Sequence, residues 1–377
     1  MGKVSAAPVR WGVLGTGRIA HTFAEGLKAL PDAELVGVGS RTLDAATSFA
    51  ARFGIAHAYG SYRELAEAPD VDVVYIATPN IRHKDDCLLC IDAGKAVLCE
   101  KPFAMNAVDG QLIVDRARGA RVFFMEAMWM RFIPLVQKAR DIVRRGDIGA
   151  PCLLFADFGY PVDRDPNNRF LNPGLGGGSL LDRGIYPLSL AWFLFGAPVE
   201  ISGQASIGPT GVDEQSVVLL KYHNGQQAVL TSSMNACTTN CATVIGVNGQ
   251  IEIEAPFYKT ERIVVKRFPA PATSAVTGPA PQSAASQLRV ILRQVKRAAY
   301  RSVGKRVGQA VYSWRLEGNG FNYEAAEVAR CLREGALESP SMSGSESIAI
   351  IAAMDVLRRQ WGIVYPNDPM SEYNVSR

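Results

Sequence analysis

Segments with the pattern of β-strands and segments with the pattern of α-helices alternate along the first 130 residues, and this alternation constrains the fold most strongly. Short apolar runs at 10–14, 34–39, 71–77, 95–99 and 121–125 are separated by stretches with a helical spacing of apolar residues. Consecutive parallel strands require crossover connections, which are usually helices that cover both faces of the sheet. The pattern therefore predicts an α/β domain with a doubly wound parallel sheet, the Rossmann arrangement.

A glycine-rich turn follows the first of these strands directly. In Gly15-Thr-Gly-Arg-Ile-Ala20, Gly15 permits the tight turn from strand to helix, and the missing side chain of Gly17 lets a pyrophosphate approach the start of the helix. Ala20 replaces the third glycine of the usual pattern and still allows close packing of helix on strand. We predict that this turn, with Arg18 and Ile19, binds a dinucleotide. The alternative is a structural turn in another α/β fold.

The end of the second strand bears on which dinucleotide is bound. Folds that prefer NAD(H) usually carry Asp or Glu here, which accepts a hydrogen bond from the ribose 2′-hydroxyl. This chain instead has Ser40, which can donate to a 2′-phosphate, and Arg41, which can pair with its charge and stack on the adenine. We therefore predict NADP(H) in preference to NAD(H). The alternative is that Arg41 is a solvated loop residue.

From Cys152 onward the helix signals give way to a succession of strand signals. Such a run predicts an α+β domain with a large open sheet that is mostly antiparallel. We place the dinucleotide-binding domain at 1–131 and the second domain at 132–377, with a tail at 366–377. The alternating outer face of the second sheet is a natural surface for a homodimer or a higher homo-oligomer.

Basic residues are concentrated in one segment. The formal net charge is +4, but the stretch from Arg262 to Leu316 holds eleven Lys and Arg residues and no Asp or Glu. The rest of the chain is therefore mildly acidic, which argues against a core that binds nucleic acid. The insertion at 269–316 starts with Pro and Ala and continues with a helical pattern of apolar residues that reaches Val311. We expect an amphipathic helix packed on the sheet or on the dimer; contact of 280–312 with an anionic membrane surface is the alternative.

The composition excludes several other classes of protein. No apolar run reaches the roughly 18–20 residues needed to span a bilayer, and the N-terminal residues lack the apolar stretch of a signal peptide. Seven scattered cysteines and only four histidines form no cluster with the spacing of a metal site. Together these features predict a cytoplasmic protein with reduced thiols and no bound metal.

Five short motifs, taken together, carry a family resemblance. They are Ala77-Thr-Pro-Asn80 with His83, Glu100-Lys-Pro102, Glu126-Ala-Met-Trp-Met-Arg131, Leu175-Gly-Gly-Gly-Ser-Leu-Leu-Asp182 and Gly184-Ile-Tyr186-Pro-Leu. The set resembles the glucose–fructose oxidoreductase/inositol dehydrogenase (Gfo/Idh/MocA) family. It is closest to the branch of dimeric trans-dihydrodiol dehydrogenases, NADP-linked D-xylose dehydrogenases and glucose–fructose oxidoreductases. The likeness covers about residues 9–268 and 317–366 and implies a dehydrogenase or reductase that acts on CH–OH groups.

The resemblance and the predicted topology together indicate the reacting groups. Ligands of a doubly wound sheet bind beyond the carboxyl ends of its strands, where Lys101 lies, and Asp182 and Tyr186 are one helical turn apart. We expect a hydride to pass between a carbinol carbon and nicotinamide C4 while Tyr186 exchanges the hydroxyl proton. Lys101 would lower the phenol pKa toward neutrality, and Asp182 would orient the pair. The residues expected beside the nicotinamide half of the cofactor are Thr78, Pro79, Asn80, His83, Glu100 and Lys101.

The substrate is expected to be a sugar, a polyol or a cyclic trans-dihydrodiol. In the branch that the chain resembles, counterparts of Trp129 and Arg131 wall the substrate pocket, so the resemblance implies that role here, and Arg169 is a further candidate. The alternative to an enzyme is a catalytically silent NAD(P)-binding sensor or regulatory protein of the same fold. The complete set of Lys101, Asp182 and Tyr186 favours the enzyme, because a silent protein has no need to retain all three.

Overall fold

The first half of the chain folds around a six-stranded sheet in which every pairing is parallel. The computed structural model describes residues 7–268, 308–366 and 368. The elements of this half are β1 (Val9–Leu14), α1 (Arg18–Leu27), β2 (Ala33–Gly39), α2 (Leu43–Phe53), β3 (His57–Tyr59), α3 (Tyr62–Glu67), β4 (Val73–Ile76), α4 (His83–Asp92), β5 (Ala96–Glu100), α5 (Ala107–Ala120) and β6 (Phe124–Ala127). The strand order is β3-β2-β1-β4-β5-β6, which confirms the predicted doubly wound Rossmann sheet.

Burial and helix capping explain why these segments form. β4 and β5 are fully buried, as expected for strands that helices cover on both faces. Side-chain oxygens of Thr42, Ser61 and Asn106 accept backbone N–H groups at the starts of α2, α3 and α5. The strand order reverses between β1 and β4, so the carboxyl ends of the central strands border the crevice where ligands of such folds bind.

The second half is built on an eight-stranded open sheet. Its elements are α6 (Pro134–Arg144), β7 (Pro151–Gly159), α7 (Ile185–Phe195), β8 (Glu200–Ile207), β9 (Asp213–Lys221), β10 (Gln227–Ser233), β11 (Ala242–Gly246), β12 (Gly249–Ile253), β13 (Arg262–Arg267), β14 (Gln309–Ser313), α8 (Phe321–Arg333) and α9 (Gly344–Trp361). The strand order is β14-β13-β12-β11-β7-β10-β9-β8. β7 and β10 pair in parallel and the other pairs are antiparallel, which confirms the predicted α+β arrangement.

One end of the predicted amphipathic helix is instead a strand. Val311 lies in β14, opposite Val264 of β13 at the edge of the sheet, so the prediction of helix around Val311 is wrong. The spacing of Val303, Val307 and Val311 fits a helix, but pairing with an existing sheet edge decides the conformation of the last residues. The preceding part of the insertion, 269–307, lies outside the described residues, as does most of the 280–312 segment.

The two faces of the second sheet differ in what covers them. α7 lies against β7 and β10, and α9 lies against β8, where the Trp361 indole N–H donates to the Gly203 carbonyl at 3.0 Å. On the other face, every second residue of β9 is exposed. Phe155, Val229 and Leu219 stand side by side in the registers of β7, β10 and β9, and Phe155 and Leu219 are 42% and 48% exposed. This row is an apolar strip across three strands.

The last two helices pack against the first half of the chain as well. The Asn319 side-chain amide, just before α8, donates to the Thr22 carbonyl of α1 at 2.7 Å. The Asp355 carboxylate of α9 accepts the backbone N–H of Ala107, at the start of α5, at 2.8 Å. The boundary at 131/132 therefore stays a prediction, because the C-terminal helices contact both sheets. In the part of the chain that the structure describes, no helix has the length and apolar character needed to cross a membrane.

Candidate active site

The glycine turn between β1 and α1 has the geometry of a phosphate cradle. Gly15 has φ +103°, and a Cβ there would lie 3.0 Å from the Ala77 carbonyl oxygen, so only glycine is tolerated. A Cβ on Gly17 would meet no atom within 4 Å, so the backbone faces open space at the N-terminus of α1. The first N–H groups of Arg18 and Ile19 point out of the helix start, as an anionic pyrophosphate requires. The turn fits a dinucleotide.

The end of β2 lies beside this turn. Ser40 is buried, and its hydroxyl lies 3.4 Å from the Thr16 hydroxyl of the glycine turn. Arg41 is exposed at the start of the following loop. A buried hydroxyl next to an exposed guanidinium is an arrangement that can receive a phosphate on the adenosine ribose.

The turn after β4 is joined to its neighbours by buried side chains. The Thr78 hydroxyl donates to Asp86 at 2.7 Å, and the Asn80 amide donates to the Gly176 carbonyl at 3.3 Å. The His83 ring is fully buried and lies between the Thr78 carbonyl (2.9 Å) and the Pro102 carbonyl (2.8 Å), and burial lowers its pKa. His83 therefore connects the turns after β4 and β5 and does not face the cleft. Pro79, in the turn after β4, is exposed.

Lys101 follows β5 and meets the other two predicted catalytic residues. Its ammonium donates to the Asp182 main-chain carbonyl at 2.7 Å and to the Asp182 carboxylate at 3.4 Å. The same nitrogen lies 4.7 Å from the centroid of the Tyr186 ring. Glu100, directly before it, accepts the Lys101 backbone N–H and the Tyr75 hydroxyl; burial raises the pKa of Glu100, and the Lys101 charge opposes that shift.

Asp182 lies in a π-helical turn, Leu180–Gly184, that leads into α7. Burial acts to raise the pKa of Asp182, but the positive charges of Lys101, Arg169 and Arg183 outweigh it, so the pKa is lowered and the group stays ionised. The start of the turn is held by Asp213, whose carboxylate accepts the Leu180 N–H at 2.6 Å. Sequence reasoning missed Asp213 because nothing in the pattern of β9 distinguishes its first residue.

Tyr186 is almost fully buried, and its oxygen accepts the indole N–H of Trp129 at 2.9 Å. Burial raises the pKa of the phenol well above its ordinary value, the charge of Glu100 raises it further, and the bond from Trp129 opposes the shift. We expected Lys101 to lower the phenol pKa toward neutrality, but the shift is in the opposite direction because burial is its largest cause. The Lys101 ammonium lies over the face of the ring.

The three predicted substrate residues are placed differently. Trp129 lies in the site, with its ring stacked on Phe321 at 4.8 Å and its N–H on Tyr186. Arg169 is exposed, and its guanidinium lies 3.6 Å from Asp182. Arg131 is not in the cleft: its side chain is 0% exposed and bonds Ser189, the Ser341 carbonyl and Glu346. All three guanidinium nitrogens of Arg131 donate hydrogen bonds to groups inside the protein, so a substrate-binding role for Arg131 does not agree with the structure.

Two aromatic residues that the sequence did not suggest complete the surroundings of Tyr186. The Phe158 ring of β7 lies 5.2 Å from the Tyr186 ring, and the Tyr258 ring lies 5.5 Å from it. Phe158 and Tyr258 stack on each other at 4.5 Å. The alternation of β7 could have indicated Phe158, but Tyr258 lies in the short turn Phe257–Lys259, where no periodic signal exists.

Comparison with known proteins agrees with this geometry. The family described as "Oxidoreductase family, NAD-binding Rossmann fold" matches residues 9–128, and "GFO/IDH/MocA C-terminal domain" matches 136–252. The chain is 36% identical to mouse (Mus musculus) trans-1,2-dihydrobenzene-1,2-diol dehydrogenase over 367 residues, covering 96% of this chain and 99% of that one. The human (Homo sapiens) enzyme of the same name is 34% identical, with the same coverage.

Solved structures with a similar fold include two oxidoreductases. A 3-ketoreductase from Actinomadura kijaniata, crystallised with NADP and TDP-benzene, is 24% identical with a TM-score of 0.75. An aldose-aldose oxidoreductase from Caulobacter crescentus, complexed with glycerol, is 23% identical with a TM-score of 0.75. Each alignment covers 93% of this chain and 97% of the other. The resemblance predicted from the motifs is confirmed: the chain belongs to the Gfo/Idh/MocA family and is an NAD(P)-binding oxidoreductase.

Proposed function

We propose that this protein is an NADP(H)-dependent oxidoreductase that transfers a hydride between the nicotinamide and a carbinol carbon of a sugar, a polyol or a cyclic trans-dihydrodiol. The observation that carries the proposal is the meeting of Lys101, Asp182 and Tyr186. They come from a strand end of the first sheet and from the helix that covers the second. An amine, a carboxylate and a phenol at the carboxyl edge of a Rossmann sheet are the groups that carbonyl–alcohol chemistry needs.

The cofactor would be held by residues from three strand ends. The nicotinamide ring, when bound, supplies the carbon that accepts or gives the hydride. The Gly15–Gly17 turn and the start of α1 would bind the pyrophosphate. Ser40 and Arg41 would bind the adenosine end. The residues proposed to line the nicotinamide half are Thr78, Pro79, Asn80, Glu100 and Lys101. His83, which was predicted in the same set, faces away from the cleft and would act only by joining the turns after β4 and β5.

Trp129 determines where the proton of Tyr186 can go. Indole N–H is a donor only, so the phenol oxygen accepts this bond and the phenol proton must point elsewhere. Among the described residues that proton has no acceptor, so it is free for a substrate oxygen. A phenol with a raised pKa remains protonated at neutral pH and is suited to protonate the oxygen of a carbonyl as it is reduced.

Lys101 and Asp182 would support this proton transfer. Asp182 stays ionised and fixes the ammonium by two contacts, one with its carbonyl and one with its carboxylate. The ammonium is then a positive charge beside the reacting oxygen, which stabilises negative charge that develops there. In the oxidation direction the phenol must first release its own proton to solvent; the resulting phenolate oxygen then takes up the hydroxyl proton, and the Lys101 ammonium, 4.7 Å from the ring centroid, supplies a countercharge.

Two observations support the proposed substrate class, the walls of the site and the names of the relatives. Trp129, Phe158 and Tyr258 offer aromatic faces around Tyr186, a surface that suits a ring-shaped substrate with adjacent hydroxyl groups. Relatives are named as a dehydrogenase of trans-1,2-dihydrobenzene-1,2-diol and as an aldose-aldose oxidoreductase.

A spectrophotometric screen tests the proposal. Trans-dihydrodiols, D-xylose and other aldoses, and polyols are assayed with NADP and with NAD, and formation of reduced cofactor is followed. Turnover of at least one class with NADP supports an enzyme. Tight binding of NADP without turnover of any of them would favour the sensor alternative.

Arg41→Ala should raise the KM for NADP about 10- to 100-fold while leaving the KM for NAD unchanged. The physical reason is the loss of charge-assisted hydrogen bonds to the 2′-phosphate, which NAD lacks. Steady-state kinetics with both cofactors measure this. The control is Arg63→Ala, an exposed arginine that pairs with Glu67 on α3. An unchanged KM for NADP in Arg41→Ala would show that Arg41 is a solvated loop residue.

We also propose that the protein forms a homodimer or a higher homo-oligomer through the apolar strip Phe155–Val229–Leu219. Leu219→Asp places a carboxylate at one end of that strip and is expected to give a monomer in gel filtration with light scattering. Leu43→Asp, a substitution at another exposed leucine at the start of α2, is the control and should keep the oligomer. A wild-type protein that elutes as a monomer would contradict this proposal.

A further inference from the structure

Two buried carboxyl groups accept backbone N–H groups of the turn that carries Lys101. Glu100 accepts the Lys101 backbone N–H at 3.1 Å, and Glu126 accepts the Phe103 backbone N–H at 3.2 Å. The backbone of the turn is therefore fixed on both sides of Pro102. A shift at either bond would move the ammonium relative to Asp182 and the Tyr186 ring.

Glu126 reaches this turn from the neighbouring strand and not from the cleft. It is the third residue of β6, lies opposite Cys99 of β5, and is 1% exposed. Its carboxylate accepts the Phe103 N–H, and the Ser347 hydroxyl of α9 also stabilises its charged form. The Phe103 ring packs on Phe124 of the same strand at 5.3 Å, so the turn and β6 form one packed unit.

The charged and titratable groups that face Glu126 come from three elements. Glu100 and the Cys99 thiol lie on β5, and Arg131 lies in the turn after β6, where Glu346 of α9 is its ion-pair partner. Burial raises the pKa of Glu126 to about 7; the hydrogen bond with the Ser347 hydroxyl of α9, the Phe103 N–H and the Arg131 charge oppose the shift, and Glu100 adds to it.

We propose that Glu126 is a positioning residue for Lys101: by accepting the Phe103 N–H, its carboxylate sets the position of the turn that carries the ammonium. This inference rests on the proposed role of Lys101. An ionised carboxylate accepts an N–H about twice as strongly as a neutral group does. Turnover should therefore rise as the pH increases through the neutral range and Glu126 loses its proton.

Two substitutions distinguish the role of Glu126 as a hydrogen-bond acceptor from the role of its negative charge. Glu126→Gln keeps an oxygen for the Phe103 N–H but cannot titrate, so the rise in kcat between about pH 6 and 8 should flatten. Glu126→Met removes the acceptor, so kcat should fall about tenfold at pH 8 while the KM for NADP stays within about twofold. Both are assayed with NADP and trans-1,2-dihydrobenzene-1,2-diol or, if the screen favours it, D-xylose.

The matched control is Glu324→Gln. Glu324 of α8 is also fully buried, and burial raises its pKa well above the ordinary value, so it is already uncharged at neutral pH. Replacing it by glutamine should leave the pH dependence of kcat as it is in the wild type. The pKa of Asp213 is also raised to about 7, so Asp213 titrates in the same pH range as Glu126. The pH profile of kcat for each variant is therefore compared with the wild-type profile, in which Asp213 titrates as well.

Thermal unfolding gives a second readout that needs no substrate. A carboxyl whose pKa is raised on folding binds a proton that the unfolded chain has released, between about pH 4.3 and 7. The wild type therefore loses stability as the pH rises through that window, and Glu126→Gln does not share this loss. The Tm of Glu126→Gln minus that of the wild type should increase from pH 5 to pH 8.

The outcomes distinguish this inference from the proposed function. If Lys101→Met keeps full activity, the role of Lys101 fails and the inference fails with it. If Lys101→Met is inactive but Glu126→Met keeps the wild-type kcat, or Glu126→Gln keeps the wild-type pH profile, only the positioning role of Glu126 is overturned.

Discussion

Tyr186→Phe is expected to lower kcat by about 10²- to 10⁴-fold, because general acid–base catalysis contributes that much and phenylalanine has no proton to exchange. The dissociation constant for NADP should stay within about twofold, since the phenol does not hold the dinucleotide in the proposed arrangement. Stopped-flow measurement of hydride transfer and a fluorescence titration with NADPH separate the two effects.

The variant also leaves the buried Trp129 N–H without an acceptor. An unsatisfied buried donor costs about 1–3 kcal/mol, so a lower Tm is expected and must be measured. The control is Tyr222→Phe, because Tyr222 is a buried tyrosine directly after β9 whose hydroxyl has no partner among the described residues, so its removal should leave kcat and the Tm near the wild-type values. A Tyr186→Phe enzyme with wild-type kcat would exclude the phenol as the proton donor.

Lys101→Met is expected to lower kcat by about 10²- to 10³-fold with little change in dinucleotide affinity. Methionine retains much of the shape of the lysine side chain but removes the charge that stabilises the reacting oxygen, and loss of one preorganised donor typically costs this much. It also removes one of the cations that keep Asp182 ionised, so the pKa of Asp182 should rise toward its ordinary value.

Lys101→Arg sharpens this experiment. The guanidinium keeps the charge, but its planar shape does not reproduce the contacts of an ammonium with the Asp182 carbonyl and carboxylate. We expect partial recovery of kcat compared with Lys101→Met. Lys84→Met, which removes an ion pair with Asp109 on the surface of α4, is the matched control. Full activity in Lys101→Met would contradict the assignment.

The fold was predictable because its signals are local. The alternation of strands and helices, the Gly15–Gly17 turn and the run of strands after Cys152 each lie within a few residues of one another. Val311 shows the limit of such reasoning. Its spacing from Val303 and Val307 fits a helix, but a free sheet edge at β13 is a tertiary feature that no local pattern reveals.

The site was predictable in part, and mainly through the family resemblance. Lys101 and Asp182 are 81 positions apart, and no periodicity brings such residues together. Trp129 and Arg131 show the same difficulty at short range, since both follow β6 but only Trp129 reaches Tyr186, while Arg131 turns into the core. Asp213 accepts the Leu180 N–H and Glu126 accepts the Phe103 N–H, both in the elements proposed to be catalytic. Nothing in the sequence pattern marks Asp213, and Glu126 begins one of the family motifs without any sign of the backbone group that it holds.

The most direct test of the central claim is a crystal structure of the protein with NADP and a diol or sugar substrate. We predict that the Lys101 ammonium and the Tyr186 hydroxyl both lie within hydrogen-bond distance of one substrate oxygen. The carbon that bears this oxygen should lie about 3–3.5 Å from nicotinamide C4. A bound nicotinamide with either group directed away from that carbon would contradict it.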